Sequence, residues 1–488
     1  MKQNLNKQKY ILTIDGGSQS TKCVVYDLHG NIIAQSSAPL SPCILGENNL
    51  VEHNGDDVFD SLKEATNALM SKGDFDVSKV IGVGIGSIRC CRVLLDKDFE
   101  LAQNIINWQD IRTSQPSEYT DDVKYITSLT GYLCQKLTGQ KKDNIGNYLG
   151  QYPVDYKNWC WSVDDTEYKK YNITREMLFD YVLPGSVVGT ITETASLATG
   201  LPVGLPLVTT SADKAVEMLG SGLVDETAVA ISLGTYISMA TMAKDDLDIP
   251  SPQSYWTIMS SIPHKLICEG YGIRRGMWTV SWFRDLLGQT PIDQAKALGI
   301  SVEDYLNQKA QDVPAGSDGL MTVLDWLANP WEAHKRGIMI GFDAHMDFAY
   351  MYRSILEGIV YTLYSNYYGL CVELAIKPKV LIVSGGGSKS DLMMQIFADV
   401  FDMPVVRNVV SAGASLGAAI NTSVGLYIYP DYTTAVKNMI KVEKTFYPDP
   451  KSVAIYKKLV INYKTLTRLT DEVLQKNHQA LMEIKGMK

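Results

Sequence analysis

Residues 11–27 read ILTIDGGSQSTKCVVYD, an acid and a glycine-containing polar loop between two apolar runs. The apolar runs predict two strands, and the loop joins them. Gly16 and Gly17 permit a positive φ and a close approach of backbone N–H groups to a ligand, and such groups bind anions. A plain hairpin turn explains the stretch equally well. Because the pattern GxxxxGK[ST] is absent, the stretch is not a Walker A loop.

The rest of the chain alternates strands with helices, which predicts an α/β fold. We expect a strand at 30–39, a helix at 56–72, buried strands at 79–87 and 205–213, long helices within 347–376 and 452–476, and a strand, glycine loop and helix over 378–401. Residues 227–243 repeat the strand, loop, strand pattern of residues 10–27. Two halves that begin alike suggest two related domains facing one cleft, which we predict at 1–222 and 223–488.

Composition excludes several classes of function. The net charge of the 488 residues is −9, which argues against nucleic acid and an anionic membrane surface as partners. The cysteines form no CxxC pair and the histidines are dispersed, so no zinc cluster is predicted. We expect reduced thiols and a cytoplasmic protein, because the first ten residues contain no apolar signal region.

Two further loops have the character of phosphate sites. SLGTY (232–236) lies between two predicted strands, and SGGGSKS (384–390) lies between a strand and a helix. Consecutive glycines allow close backbone approach, and a helix start offers free N–H groups to an anion. Each loop alone is also explained as a tight turn. The dinucleotide pattern GxGxxG is absent, so hydride chemistry has no support.

A possible acceptor site is formed by four residues. Asp213 follows a strand, where a carboxylate suits a general base, although it also suits a helix N-cap. Arg89, Trp108 and Asp110 offer an aromatic wall with a cation and an acid for a polyhydroxylated molecule. In the alternative interpretation Trp108 belongs to the core and Arg112 pairs with a surface acid.

Taken together, the ordered motifs resemble the FGGY family of carbohydrate kinases over nearly the whole chain. The matching segments are Asp15–Lys22, LVEH (50–53), Trp108–Arg112, LTG (137–139), ADKA (212–215), SLGT (232–235), Arg353–Gly358, Gly385–Asp399 and LGAA (416–419). The resemblance implies a two-domain, actin-like (RNase H-like) ATPase fold with a central cleft, and an ATP-dependent kinase for a small sugar or polyol.

The resemblance also implies roles for individual residues. Asp213 would act as the general base, and Asp15 with Asp213 would hold Mg²⁺, directly or through water. Residues implied at ATP are Gly16, Gly17, Ser18, Gln19, Lys22, Gly234, Thr235, Gly385, Gly386, Gly387 and Ser390. Residues implied at the acceptor are Arg89, Trp108, Asp110 and Lys214.

The chain departs from the family pattern at the acceptor side. Arg89 is followed by Cys90, Lys214 follows the expected base, and only 18 residues separate Arg112 from GYLCQKLTG. A lysine beside the base would lower the pKa of that base or contact the acceptor. We expect a ketopentose such as xylulose, with glycerol, another polyol or a sugar acid as alternatives. A catalytically silent ATP-binding regulator is the alternative of another class. The resemblance favours a homodimer.

Overall fold

The computed structural model describes residues 9–244, 253–327, 332–409 and 413–485; residues 1–8, on which most of the signal-region expectation rests, lie outside these ranges. Its strands, in chain order, are β1 (Tyr10–Gly16), β2 (Ser20–Asp27), β3 (Ile32–Pro39), β4 (Ile44–Leu45), β5 (Val51–Glu52), β6 (Val80–Ser87), β7 (Val93–Leu95), β8 (Tyr125–Thr127), β9 (Lys142–Asn144), β10 (Val154–Asp155), β11 (Cys160–Trp161), β12 (Asp180–Val182), β13 (Ser186–Thr190), β14 (Pro206–Ala212), β15 (Ala228–Leu233), β16 (Ile237–Met242), β17 (Tyr255–Met259), β18 (Leu266–Ile273), β19 (Met321–Val323), β20 (Ile338–Ile340), β21 (Val380–Ser384), β22 (Val405–Asn408) and β23 (Val442–Phe446).

The helices begin and end as the polar and apolar periodicity requires. In chain order they are α1 (Asp57–Ser71), α2 (Leu129–Thr138), α3 (Asp165–Tyr171), α4 (Glu193–Thr199), α5 (Asp213–Ser221), α6 (Gly276–Leu286), α7 (Gln289–Leu298), α8 (Val302–Gln311), α9 (Phe348–Leu374), α10 (Asp391–Phe401), α11 (Gly413–Gly425), α12 (Tyr432–Met439) and α13 (Pro450–Ile484). The predicted strands and helices named above are thereby confirmed within a few residues at each end, except that α13 continues to Ile484, beyond the predicted end at residue 476.

Two large sheets share one strand pattern. The first has the order β3-β2-β1-β6-β14-β13, and the second contains β18-β16-β15-β21-β22-β23, with β17 added beside β18. In both, the neighbouring pairs run antiparallel, antiparallel, parallel, parallel and antiparallel. The similarity expected from the two hairpins therefore extends to the whole sheet, and the fold class is the predicted one.

Helices α5 and α11 form the layer between the sheets. Ala215 and Met218 of α5 pack with apolar residues of the second sheet, whereas Leu416 and Ile420 of α11 pack on the first. Glycines allow the two helices to cross closely, since a Cβ added at Gly417 would lie 1.8 Å from the carbonyl oxygen of Val216. Each half of the sequence thus supplies a helix to the core of the other.

Apart from this layer, each sheet has its own core. Buried apolar residues of α1 and α2 pack on the first sheet, and those of α9 and α10 pack on the second. Across the residues that the structure describes, no helix is both long and apolar enough to cross a bilayer.

Candidate active site

Three parallel strands bring the predicted catalytic residues together. In the first sheet Asp15 of β1 is aligned with Gly86 of β6, and Gly86 is aligned with Ser211 of β14. The carboxyl ends of parallel strands meet at one edge of a sheet. Asp15, Arg89, which follows β6, and Asp213, which follows β14, are therefore neighbours.

Two adjoining cavities open at this edge. The smaller, of about 300 Å³, is lined by Asp15, Gly17, Ser18, Gln19, Ser20, Lys22, Ile88, Asp213, Glu217 and Ala414. The larger, of about 520 Å³, is lined by Ser18, Ile88, Arg89, Cys90, Trp108, Thr113, Gln151, Asp213, Lys214, Trp256 and Ile258. Ser18, Ile88 and Asp213 line both cavities, so these three residues form the boundary between the smaller cavity and the larger one, which has the aromatic side chains.

The first loop is both a hairpin turn and a cavity wall. The backbone N–H of Gly17 donates to the carbonyl oxygens of Asp15 and Ser20, each at 3.1 Å. Neither Gly16 nor Gly17 adopts the positive φ that the sequence suggested. Glycine is instead favoured by space: a Cβ on Gly16 would lie 3.1 Å from Cβ of Ser87, and one on Gly17 would lie 3.0 Å from the oxygen of Ser20. Among the described residues, Gly16 is not one that lines either cavity.

Asp213 opens helix α5 rather than capping it. The N-cap is Ala212, which makes no side-chain bond, and Oδ1 of Asp213 accepts the backbone N–H of Lys214 at 2.7 Å. Burial raises the pKa of Asp213, and the charges of Arg89 and Lys214 only partly oppose it. Lys214 lowers the pKa of Asp213 as expected, but desolvation of the buried carboxylate outweighs this effect, so the pKa is raised overall.

Asp15 is buried close to two other carboxylates, those of Asp213 and Glu217. Burial, followed by the charge of Asp213, raises its pKa to about 6 despite the opposing charge of Lys22. Glu217, one helical turn after Asp213, raises the pKa of both aspartates further. Like charges at this density favour a bound cation or a proton.

A metal ion would have to be held partly through water here. Throughout the described residues, no group of three or more His, Cys, Asp and Glu side chains is arranged to hold a metal ion. Mg²⁺ keeps several waters and takes one or two carboxylates together with substrate phosphates. Asp15 and Asp213, both lining the smaller cavity, fit that requirement.

The two predicted nucleotide loops lie side by side on the second sheet. Gly234 and Thr235 join β15 to β16, and Gly385 follows β21, whose Ser384 is aligned with Ser232. Gly385 has φ +86°, and a Cβ there would lie 2.7 Å from the carbonyl oxygen of Leu233. The described residues that line the two cavities include none of these loop residues, nor Gly386, Gly387 or Ser390.

Ser390 already has a structural task. Its Oγ caps α10 by accepting the N–H of Met393 at 3.2 Å and donates to Oδ1 of Asn307 at 2.8 Å. Any contact of Ser390 with a ligand would compete with these bonds.

Trp108 and Arg89 lie in the larger cavity as predicted. Trp108 is 46% exposed, so it belongs to the cavity wall and not to the core. Arg89 reaches across to the second sheet, where its Nη2 lies 3.0 Å from Oε2 of Glu269 in β18. Lys214 also crosses, donating to Oε2 of Glu217 at 2.6 Å and to Oγ of Ser238 in β16 at 3.2 Å.

Asp110 does not reach the cavity. Its carboxylate accepts the N–H of Val51 at 2.6 Å and pairs with Arg112 at 2.7 Å. Arg112 also pairs with Glu52. The structure therefore favours the alternative, in which Arg112 pairs with acids, except that Asp110 is buried and not on the surface.

Several residues of the site are missing from those predicted by the sequence motifs. Glu217 could have been identified from the sequence, because it lies four residues after Asp213 and therefore on the same helix face. Glu269 leaves only a weak signal, a single acid within the strand LICEGYGI. Trp256 and Gln151 come from distant segments, and no spacing in the chain connects them with Arg89.

Known proteins match this chain over most of its length. The model of the N-terminal domain of the FGGY family of carbohydrate kinases matches residues 10–122, and that of its C-terminal domain matches residues 229–426. An uncharacterized sugar kinase of Escherichia coli strain K12, YgcE, is 52% identical over 477 residues, or 97% of this chain and 96% of the relative.

More distant relatives cover the chain as fully. The xylulose kinase of Lactococcus lactis subsp. lactis is 24% identical over 95% of this chain and 97% of its own length. Among solved structures, the gluconate kinase from Lactobacillus acidophilus superposes with a TM-score of 0.82 at 22% identity, covering 96% of this chain and 100% of that one. At this identity the structural likeness shows the fold alone.

Proposed function

Since the chain belongs to the FGGY family of carbohydrate kinases, we propose that it transfers the γ-phosphoryl group of ATP to a hydroxyl of a small sugar or polyol. A ketopentose such as xylulose is the first candidate, and glycerol, another polyol or a sugar acid are the alternatives. One observation carries the proposal: Asp213 lines both cavities. A base at that position reaches an acceptor hydroxyl on one side and a phosphoryl group on the other.

Asp213 would take the proton of the attacking hydroxyl. Burial raises the pKa of Asp213, which makes its carboxylate a stronger base than a solvated aspartate. The charges of Arg89 and Lys214 oppose the effect of burial and favour the ionised form of this carboxylate.

The smaller cavity would receive the phosphates. Ser18, Gln19 and Lys22 line it and offer donors and a positive charge, while the loops at 234–235 and 385–387 would hold the rest of the nucleotide, with Ser390 beside them. Positioning and electrostatic stabilisation dominate catalysis of phosphoryl transfer. Mg²⁺, when bound near Asp15 and Asp213, would supply neutralisation of phosphate charge.

Contacts between the two sheets would keep water out during transfer. Arg89 and Lys214 cross from the first half to the second, and Trp256 of β17 closes the aromatic side of the larger cavity. Exclusion of water limits hydrolysis of ATP without an acceptor.

The test is release of ADP from ATP–Mg²⁺ with a panel of polyols, ketoses and sugar acids. We expect stimulation by at least one acceptor, and loss of that stimulation in Asp213→Asn. The control is Asp391→Asn, which removes a carboxylate paired with Arg407 and Lys444, outside the lining of both cavities. A chain that no acceptor stimulates, and whose basal ATPase is the same in Asp213→Asn, would instead fit the silent regulator.

Three further expectations are proposals as well: a domain boundary between residues 222 and 223, a homodimer and a cytoplasmic location. Limited proteolysis, sedimentation and cell fractionation test them in turn.

A further inference from the structure

The larger cavity contains charges that are already compensated. Of the described residues that line it, Arg89 and Lys214 are the cations. Arg89 pairs with Glu269 at 3.0 Å, and Lys214 pairs with Glu217 at 2.6 Å. With Asp213 included, two cations face three carboxylates, so an entering anion would meet no net positive charge.

Glu269 is the acid that compensates Arg89. Its side chain is 3% exposed, whereas that of Arg89 is 35% exposed. Glu269 does not line the cavity among the described residues, so it would act on a ligand only through Arg89. A buried carboxylate that loses its partner is strongly destabilised. An anionic ligand that drew Arg89 away from Glu269 would therefore incur that penalty.

We propose that Glu269 is a positioning residue that sets the charge of the acceptor, restricting the cavity to neutral polyols and sugars by keeping Arg89 neutralised. A neutral acceptor can use the remaining Arg89 N–H groups as hydrogen-bond donors, since a guanidinium has five N–H groups. A sugar acid would bring its carboxylate between Arg89, Glu269 and Asp213. The inference rests on the proposed function and selects among the acceptors left open there.

The test compares acceptors that differ only in one terminal group. Xylitol with xylonate, and glycerol with glycerate, are such pairs, because one CH₂OH is replaced by a carboxylate. Binding is measured by calorimetry with ADP–Mg²⁺ present, and KM and kcat are measured by ADP release. We expect the wild-type protein to bind the neutral member of a pair more tightly.

Glu269→Gln keeps the shape of the side chain and removes its charge. We expect it to raise the affinity for the acid relative to the neutral member by about tenfold to a hundredfold, the range for a charge-assisted hydrogen bond. The change should appear in KM more than in kcat. In Arg89→Gln/Glu269→Gln the gain should disappear, because the cation that Glu269 compensates is gone.

Glu303→Gln is the matched control, since it removes one of the two acids paired with Arg284, at 2.6 Å and outside the cavity, while Asp285 remains. It should leave the acid-to-neutral ratio unchanged. If Glu269→Gln fails to fold, the variant Arg89→Gln/Glu269→Gln remains informative, because replacing both partners of a buried pair is often tolerated. This double variant should show the same preference between acid and neutral acceptor as the wild-type protein.

The inference would be overturned by a wild-type preference for the acid, by an unchanged ratio in Glu269→Gln, or by a gain that persists in the double variant. Binding of neither member of any pair would overturn it too. Failure of the proposed function is a separate result, namely absence of ADP release with every acceptor, and the calorimetric ratio decides the inference even then.

Discussion

Among single residues, Asp213 and Asp15 show how the site modifies ordinary carboxylates. Burial raises the pKa of both, and each is recognisable in the sequence because it follows an apolar strand. Asp110 was also predicted at the site, from its place beside Trp108, yet its carboxylate binds Arg112 and the N–H of Val51. What separates the two cases is the neighbouring chain, which a local motif does not specify.

We predict that Asp15→Asn stabilises the protein at neutral pH when metal and nucleotide are removed. The pKa of Asp15 rises from 3.8 to about 6 on folding, so the folded state binds more protons between these values and stability falls as pH rises through them. The variant should gain about 1–3 kcal/mol in free energy of unfolding above pH 6. Denaturant melts from pH 4 to 8 measure it.

Asp391→Asn should behave in the opposite way. The ion pairs of Asp391 with Lys444 and Arg407 outweigh its burial and lower its pKa, so this variant loses stability at neutral pH and approaches the wild type as the pH falls. Equal curves for Asp15→Asn and the wild-type protein would contradict the assigned environment of Asp15.

We also predict an acid limb in kcat/KM that reflects Asp213. Because burial raises its pKa above the ordinary 3.8, activity should fall, as pH decreases, at a higher pH than a solvated aspartate would give. Asp213→Asn should lower kcat by about 10²–10⁴-fold and remove that limb. A residual rate with the same limb would assign the base to another group.

Among the elements, strands and helices followed from periodicity, but the contacts between elements did not. The hairpins at 10–27 and 227–243 were predictable because apolar runs flank glycine-containing loops. The reason for each glycine was not, since Gly16 and Gly17 are favoured by space and Gly385 by both space and a positive φ. The sequence indicates that a loop is tight, whereas the residue that contacts each glycine is known only from the structure.

In the loop at 384–390 we predict that Gly385→Ala destabilises the protein and that Gly386→Ala does not. A Cβ at Gly385 would meet the backbone of Leu233 at 2.7–2.9 Å with φ at +86°, whereas one at Gly386 would meet nothing within 4 Å. The first change should cost about 1–3 kcal/mol and raise KM for ATP. Thermal melts and ATP kinetics of both variants decide, and equal stability would contradict the close approach to β15.

At the scale of the whole molecule, the two sheets share a topology and exchange helices. Helix α5 carries Asp213 and packs against the second sheet, while α11 packs against the first. The resemblance to a family predicted two domains and a cleft. Contacts across the cleft, such as that of Arg89 with Glu269, could not be predicted, because no local pattern links residues 180 positions apart.

We predict that Gly417→Ala weakens both the fold and the activity. The new methyl would lie 1.8 Å from the carbonyl oxygen of Val216, so α5 and α11 must separate. Overpacking of this kind costs about 1–3 kcal/mol, and it would displace Asp213 at the start of α5. Gly220→Ala, which meets the carbonyl oxygen of Gly413 at 1.8 Å, should give the same loss of melting temperature and kcat. Unchanged kcat in both would show that the crossing does not position the base.

The boundary between the two cavities has a consequence for how this molecule can diverge. Of the residues that the structure describes, Ser18, Ile88 and Asp213 line both cavities. The remaining walls of the larger cavity come from segments far apart in the chain, among them Trp108, Gln151 and Trp256. Mutations can therefore accumulate in the larger cavity, the proposed acceptor site, while the smaller cavity stays constant. After a gene duplication, one copy could therefore acquire a different acceptor specificity by successive substitutions in the larger cavity, without an inactive intermediate.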